Sequence, residues 1–134
     1  MKDRPFVDSN VVLYLLDLNG SNKKEIASSL LLDLPFISPQ VVFECLNVCL
    51  KKWKMDRPGS LRFVHELVAS TFMQDETEQV VNSALRIFSR YLLQPFDSKI
   101  IASALEADCN ILYSEDMQHG LVIEDRLTIV NPFL

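Results

Sequence analysis

The chain has 134 residues, 49% of them hydrophobic and 23% charged, and its formal net charge is −5. This length and composition fit one globular domain, so we expect a single domain over residues 1–134. The acidic balance argues against a globally basic nucleic-acid clamp. No apolar run approaches the roughly 20 residues that a membrane helix needs, so we expect a cytoplasmic protein without membrane contact.

The first third of the chain predicts two short strands that alternate with helices. Residues 5–7 form an apolar run that suits a buried strand, and Asp8 follows it directly. Helical spacing begins at once, with apolar positions Val11, Val12, Leu15 and Leu16. Asn22 and Glu25 form a capping pair for a second helix, and residues 35–38 then indicate another strand. The expected apolar face of that second helix comprises Ile26, Ala27, Leu30, Leu31 and Leu34.

The next segment predicts a long helix followed by a turn. Pro39 suits the first turn of a helix that extends to about Lys54. Glu44 lies at the border of the broad apolar arc of this helix, which is where the wall of a groove would be. Residues 55–60 contain the sequence Asp-Arg-Pro-Gly and predict a turn.

Two further helices are predicted before the last part of the chain. The first covers residues 61–70, with inward positions Val64, Leu67 and Val68. Asp75 and Glu78 are expected to cap the second, which extends to about Leu92. Its expected buried positions are Val81, Leu85 and Phe88.

The last part of the chain repeats the pattern of its beginning. A helix headed by Asp97 leads into a short strand, Asp116 lies just past that strand, and residues 127–130 form a final strand. Short strands alternating with helices predict an α/β fold, a three-layer α/β/α sandwich with a short central parallel sheet. Strand carboxyl ends and helix amino ends share one edge of such a sheet, so Asp8, Asp97 and Asp116 are expected to face one crevice.

Four acids, Asp8, Glu44, Asp97 and Asp116, are therefore candidates for one site. Two unit charges about 5 Å apart repel by about 3 kcal/mol at an effective dielectric near 20, so a proton or a cation must lie among them. All-oxygen carboxylate sites suit hard divalent ions such as Mg²⁺ or Mn²⁺. Asp8 and Asp97 also suit helix N-caps, and a glutamate at a helix border is more often solvated.

Three segments carry a family resemblance. They are residues 6–10, Phe-Val-Asp-Ser-Asn; residues 38–48, around Glu44; and residues 97–120, through Leu-Tyr-Ser-Glu-Asp-Met-Gln-His-Gly. Together with the Asn-Pro-Phe ending at 131–133, this pattern resembles the PIN-domain family and its VapC-like bacterial toxin branch. The resemblance covers nearly the whole chain and implies a PIN-like fold.

The resemblance implies a metal-dependent endoribonuclease. Asp8, Glu44, Asp97 and Asp116 would be the catalytic residues and would hold one or two Mg²⁺ or Mn²⁺ ions, while Asn10 and Ser114 would orient the carboxylates. The metal would activate a water, leaving a 5′-phosphate and a 3′-hydroxyl. By the same analogy the substrate is RNA, with tRNA among the candidates, and the protein is a homodimeric toxin inhibited by a cognate antitoxin. A PIN-like module that binds RNA or protein without cutting is the alternative.

Other chemistry-bearing residues allow two interpretations each. Basic side chains surround Trp53, and they either contact RNA phosphates or form a solvated helix end with Trp53 in the core. These candidate RNA contacts are Lys51, Lys52, Lys54, Arg57 and Arg62. Cys45 and Cys49, one helical turn apart, are better explained as buried small hydrophobes than as zinc ligands. His119 is either a substrate contact or an ordinary loop histidine.

Overall fold

A central sheet organises the protein in a computed structural model that describes residues 4–134. Within these residues the sheet has six strands in the order β3-β2-β1-β4-β6-β5. All neighbouring strands are parallel except β5 and β6, which are antiparallel. The strands are β1 (Phe6–Val7), β2 (Phe36–Ile37), β3 (Phe72–Met73), β4 (Ile111–Tyr113), β5 (Val122–Ile123) and β6 (Leu127–Val130).

Helices cover both faces of this sheet. They are α1 (Ser9–Val12), α2 (Lys23–Leu31), α3 (Pro39–Lys51), α4 (Arg57–Ala69), α5 (Glu78–Tyr91) and α6 (Pro95–Glu106), and a 3₁₀ helix at Leu13–Leu16 continues α1. The chain steps from β1 to β2 to β3 and then returns to β4 on the other side of β1. Right-handed crossovers place α1–α4 on one face and α5 and α6 on the other. The predicted three-layer α/β/α fold is therefore confirmed.

The core lies where the strands meet the two helical layers. Its largest fully buried side chains include Phe6, Ile37, Leu112 and Ile129 from the strands and Ile101 from α6. Cys45, Cys49 and Cys109 are also buried, and burial raises the pKa of the Cys45 thiol. The interpretation of Cys45 and Cys49 as small hydrophobes is thus confirmed. Within residues 4–134, no helix is long and apolar enough to cross a membrane.

The predicted turn at residues 55–60 is wrong, because most of it is the start of α4. The Asp56 side chain accepts a hydrogen bond from the Gly59 backbone N–H at 2.7 Å, and helix α4 begins at Arg57. Proline is tolerated in the first turn of a helix, where its missing N–H has no intrahelical partner. Asn22 occupies the N-cap position of α2 and Glu25 lies in the first turn, as predicted, but the Asn22 side chain makes no capping hydrogen bond.

The predicted buried face of α5 is wrong as well. Thr77 caps this helix, accepting from the Val80 N–H at 3.2 Å, and Asp75 does not. The buried face carries Val80, Ala84 and Ile87, whereas Val81, Leu85 and Phe88 are 47%, 62% and 44% exposed. Apolar residues occupy both sides of α5, so periodicity alone chose the wrong one. The inward residues include the small Ala84, which clusters with Val80 and Ala102 of α6.

Smaller differences occur at exposed positions. Val68 of α4 and Leu34 after α2, both predicted inward, are 42% and 44% exposed, while Val64 and Leu67 are buried as predicted. Strands β3 and β5 were not predicted, and each has only two residues. The four other strands lie where the sequence predicts them. Strand order reverses beside β1, which opens a crevice at the carboxyl ends of β1 and β4.

Candidate active site

Asp8 lies at the carboxyl end of β1 and is also the N-cap of α1. Its Oδ1 accepts a hydrogen bond from the Ser9 N–H at 2.8 Å, and its Oδ2 accepts from Ser114 Oγ at 3.0 Å. Parallel pairing of β1 with β4 brings together the segments that follow these two strands, and the Asp8 N–H donates to the Tyr113 carbonyl at 3.0 Å. The side chain is only 5% exposed. Asp8 therefore caps a helix and also lies at the crevice, so the two sequence interpretations are compatible.

Asn10 links the two strand-ending loops. Its Nδ2 lies 3.2 Å from Asp8 Oδ2, 3.3 Å from Ser114 Oγ and 3.2 Å from Asp116 Oδ2. Its Oδ1 accepts the Glu115 N–H at 3.0 Å. The amide therefore fixes Asp116, which is exposed, relative to the buried Asp8. Asn10 thus contacts both carboxylates and Ser114 contacts that of Asp8, while their role in orienting metal ligands stays a prediction.

Glu44 joins the site from α3. It is half-buried, its Oε1 accepts from Ser9 Oγ at 3.0 Å, and its Oε2 accepts from Gln40 Nε2 at 3.3 Å. Gln40 Nε2 also donates to the carbonyl of Phe96, in the first turn of α6, at 3.2 Å. Gln40 is a residue that the sequence interpretation missed. Its position four residues before Glu44, on the same helix face, is the signal that could have found it.

Asp97 approaches from the first turn of α6. The helix begins at Pro95 and its N-cap is Gln94, so Asp97 is the third helical residue and the capping interpretation is wrong. The side chain is half-buried. Burial, together with the negative charges of Asp116 and Glu44, raises the pKa of the Asp97 carboxyl. Asp97 is thus coupled through charge to two of the other acids.

The four acids, which we call the acidic cluster, share uncompensated negative charge. Burial, together with the negative charges of Glu44 and Asp97, raises the pKa of Asp8 from 3.8 to about 6 against the opposing hydrogen bonds of Ser114 and Ser9. Among residues 4–134 the ion pairs neutralise other acids, such as Glu115 by Lys23 at 2.7 Å. No cluster member has a basic partner in the described chain.

The cluster fits a divalent cation by the chemistry of its donors rather than by a ready-made cage. Carboxylate oxygens are the ligands that Mg²⁺ and Mn²⁺ prefer, and a bound cation would offset the burial and the neighbouring carboxylates that raise the pKa of Asp8. Within residues 4–134, however, no three His, Cys, Asp or Glu side chains are arranged so that they could hold a metal ion. Hydrogen bonds to Ser9, Asn10, Gln40 and Ser114 hold the carboxylates instead.

The basic segment divides by location. Lys52 and the half-buried Trp53 line a cavity of about 410 Å³ that Asn10 and Asp116 also line. Trp53 therefore lies beside the acidic cluster and not in the buried core, while RNA contact by the basic residues stays a prediction. The remaining candidates are all exposed and do not line this cavity: Lys51, Lys54, Arg57 and Arg62. His119 is exposed, and its Nδ1 accepts from the Asn131 N–H at 2.9 Å.

Comparison with solved structures supports the fold. The chain is similar to a toxin–antitoxin complex from Klebsiella pneumoniae, with 17% identity, a TM-score of 0.70 and coverage of 96% of this chain and 97% of that one. It is also similar to DNA-bound VapBC from Salmonella typhimurium, with 15% identity, a TM-score of 0.70 and coverage of 96% and 97%. For VapC20 of Mycobacterium tuberculosis, a toxin that cleaves the sarcin–ricin loop, identity is 15%, the TM-score 0.66 and coverage 84% and 89%.

Sequence comparison identifies the family. A search among curated proteins gives no significant match. The family model described as the PIN domain matches residues 6–121, which include all four acids of the cluster together with Asn10 and Ser114. This match spans most of the chain and agrees with the sheet order and with the structural neighbours. The chain therefore belongs to the PIN domain family.

Proposed function

We propose that this protein is a divalent-metal-dependent endoribonuclease and the toxin of a toxin–antitoxin pair. One observation carries the proposal: four carboxylates from separate parts of the chain are electrostatically coupled at the sheet edge, and none has a basic partner among the described residues. The PIN family match and the similarity to VapC20, a toxin that cleaves RNA, favour nuclease chemistry for this arrangement.

The chain's own residues would hold and orient the reacting groups. When bound to the carboxylates of Asp8, Glu44, Asp97 and Asp116, Mg²⁺ or Mn²⁺ supplies Lewis-acid chemistry, lowering the pKa of a water and neutralising charge on the phosphoryl oxygens. Asn10 and Ser114 fix the direction of the Asp8 and Asp116 carboxylates. With a pKa of about 6, Asp8 is ionised in most molecules above neutral pH and available as a ligand.

A cleavage assay on total RNA and on tRNA tests this function. The wild type is expected to cut with Mg²⁺ or Mn²⁺ and to stop when EDTA is added. Asp8→Asn and Asp116→Asn should each lower the rate by more than about 100-fold, because each removes one charge that the transition state needs. Asp75→Asn, which changes an exposed aspartate outside the cluster, is the matched control and should cut normally.

The alternative, a PIN-like module that binds without cutting, predicts a different result. It would retain RNA while no preparation, with or without metal, produced fragments. Activity that survives EDTA, or equal cutting by the wild type and both asparagine variants, would contradict the assignment of the cluster as the site.

An antitoxin partner and a homodimer belong to the same proposal. Two of the similar structures are toxin–antitoxin complexes, and on that similarity we propose a cognate antitoxin and a homodimer for this chain. Light scattering coupled to size exclusion measures the dimer directly. Co-expression with the product of a neighbouring reading frame should restore growth that the toxin alone stops, and growth that continues without any partner would contradict the toxin role.

A further inference from the structure

A cavity of about 410 Å³ adjoins the acidic cluster, and we call it the Trp53 cavity. Asn10 and Asp116 line it together with Lys52 and Trp53, which follow the last turn of α3. The volume lies within the range of about 300–1,000 Å³ that is usual for small-molecule sites. Because two of its lining residues belong to the hydrogen-bonded network of the acids, whatever occupies the cavity lies next to the proposed cleavage site.

The cavity offers aromatic and apolar surface for a flat ring. Trp53 is half-buried, and Leu13 and Val48 add apolar wall beside it. Single-stranded RNA is recognised mainly through unstacked bases that stack on aromatic side chains and use their edges for hydrogen bonds. An indole at the wall of a cavity of this size is suited to one such base.

The charges that line the cavity favour a neutral base over a phosphate. Two carboxylates without an ion-pair partner in the described chain, Asp17 and Asp116, line it together with Glu115, which is paired with Lys23, and Lys52 supplies the one lining ammonium. Carboxylates accept hydrogen bonds from the amino and imino groups of bases but repel phosphate. Lys52 is exposed, has no ion-pair partner in the described chain, and has its Nζ 6.0 Å from the Trp53 ring centroid. Its ammonium is therefore available to the phosphate of the same nucleotide.

We propose that the Trp53 cavity binds one unstacked RNA base next to the phosphate that the acidic cluster would cut, with Trp53 as the stacking surface and Lys52 as the phosphate contact. This inference rests on the proposed ribonuclease function, which supplies the RNA. A protein segment is the competing occupant, and the indole beside the cut site and the unpaired Lys52 favour RNA over it.

The sole tryptophan of the chain reports on this cavity directly. Fluorescence of the wild type is titrated in EDTA, where a metal-dependent nuclease cannot cut, with a single-stranded RNA of about eight nucleotides. The matched probe is a chain of the same length that carries abasic sugars. RNA with bases should quench Trp53 emission in a saturable way, and the abasic chain should not.

Variants separate stacking from charge. Anisotropy of fluorescein-labelled RNA should show binding weakened about tenfold by Trp53→Leu and much less by Trp53→Phe, which keeps an aromatic ring. Lys52→Met should weaken binding more than Lys24→Met, the control at an exposed lysine that does not line the cavity. Circular dichroism checks the fold of each variant, and the wild-type titration is independent of that check.

The outcomes distinguish this inference from the proposed function. Unchanged Trp53 emission with every RNA, or equal quenching by the abasic chain, would contradict the proposed base site. A protein segment would then be the remaining candidate occupant of the cavity. RNA that is cut by the wild type without quenching leaves the nuclease intact and removes only the base site. Saturable quenching specific for bases, without any cleavage in Mg²⁺ or Mn²⁺, supports the base site and removes the nuclease.

Discussion

Replacing Asp8 by asparagine removes a carboxyl group whose ionisation the folded protein opposes. Its pKa rises from 3.8 to about 6, mainly through burial. At about 1.4 kcal/mol for each tenfold change in proton affinity, ionised Asp8 lowers the free energy of unfolding by about 3 kcal/mol in the absence of metal. The side chain is 5% exposed, so solvent screening reduces this value little.

The sign of the effect follows from which state releases its proton first. Below about pH 4 the carboxyl is protonated in both folded and unfolded chains, and the neutral form contributes its full stability. Between about pH 4 and pH 6 the unfolded chain ionises while the folded chain keeps its proton, so stability falls as the pH rises. Asp8→Asn lacks this titration, and its stability relative to the wild type should increase by about 3 kcal/mol across that window.

Urea denaturation in EDTA at pH 4.0 to 7.5 measures this difference, with Trp53 fluorescence and circular dichroism as probes. Hydrogen bonds that asparagine makes less well shift the variant by a constant amount, about 1 kcal/mol, and do not imitate a change with pH. Asp75→Asn corrects for the loss of an exposed charge. A difference between wild type and Asp8→Asn that stays flat from pH 4.0 to 7.5 would refute the reasoning about the buried carboxyl.

Three further perturbations test the site and the fold. Mg²⁺ or Mn²⁺ at about 100 times its dissociation constant should raise the wild-type Tm by about 10 °C, and much less in Asp8→Asn, measured by differential scanning fluorimetry. Gln40→Ala should raise the metal concentration for half of that shift about tenfold, because the glutamine holds Glu44, whereas exposed Asn47→Ala on the same helix should not. Asp56→Ala should destabilise the protein by about 1 kcal/mol in urea, since it removes the side-chain cap that accepts the Gly59 N–H at 2.7 Å.

The positions of the strand-ending acids could be predicted because parallel strands have one polarity. Once β1 and β4 are recognised as parallel neighbours, Asp8 and Ser114 must follow them at the same sheet edge, and the structure pairs these side chains at 3.0 Å. Glu44, a weak candidate from its helix-border position alone, was predicted from its register with the other three acids in the family pattern, and its Oε1 accepts from Ser9 Oγ at 3.0 Å. Gln40 was not predicted, because its role depends on how closely α3 approaches the start of α6. A local sequence pattern does not encode that distance.

The failures have local causes. Strands β3 and β5 lie at the two edges of the sheet and three of their four residues are exposed, so no buried apolar run marks them in the sequence and pairing with their neighbours alone defines them. In α5, two apolar stripes compete, and the packing of Ala84 against α6 decides between them where hydrophobicity cannot. The sequence Asp-x-Pro-Gly, which is typical of turns, also occurs at a helix start. Here the Asp56 carboxylate accepts the Gly59 N–H and caps α4.

The contrast between Glu115 and Asp116 shows how selectively this chain neutralises its acids. These adjacent residues both lie near Asn10, yet Glu115 is paired with Lys23 at 2.7 Å and with the Tyr14 hydroxyl at 2.6 Å. Among residues 4–134, the side chain of Asp116 receives only the neutral amide of Asn10. An amide fixes a carboxylate without cancelling its charge, whereas a lysine there would neutralise the cluster and compete with a cation. Asp116 has no basic partner in the described chain, and its negative charge raises the pKa of Asp97. This contrast with Glu115 supports the proposal that a cation from outside the chain binds here.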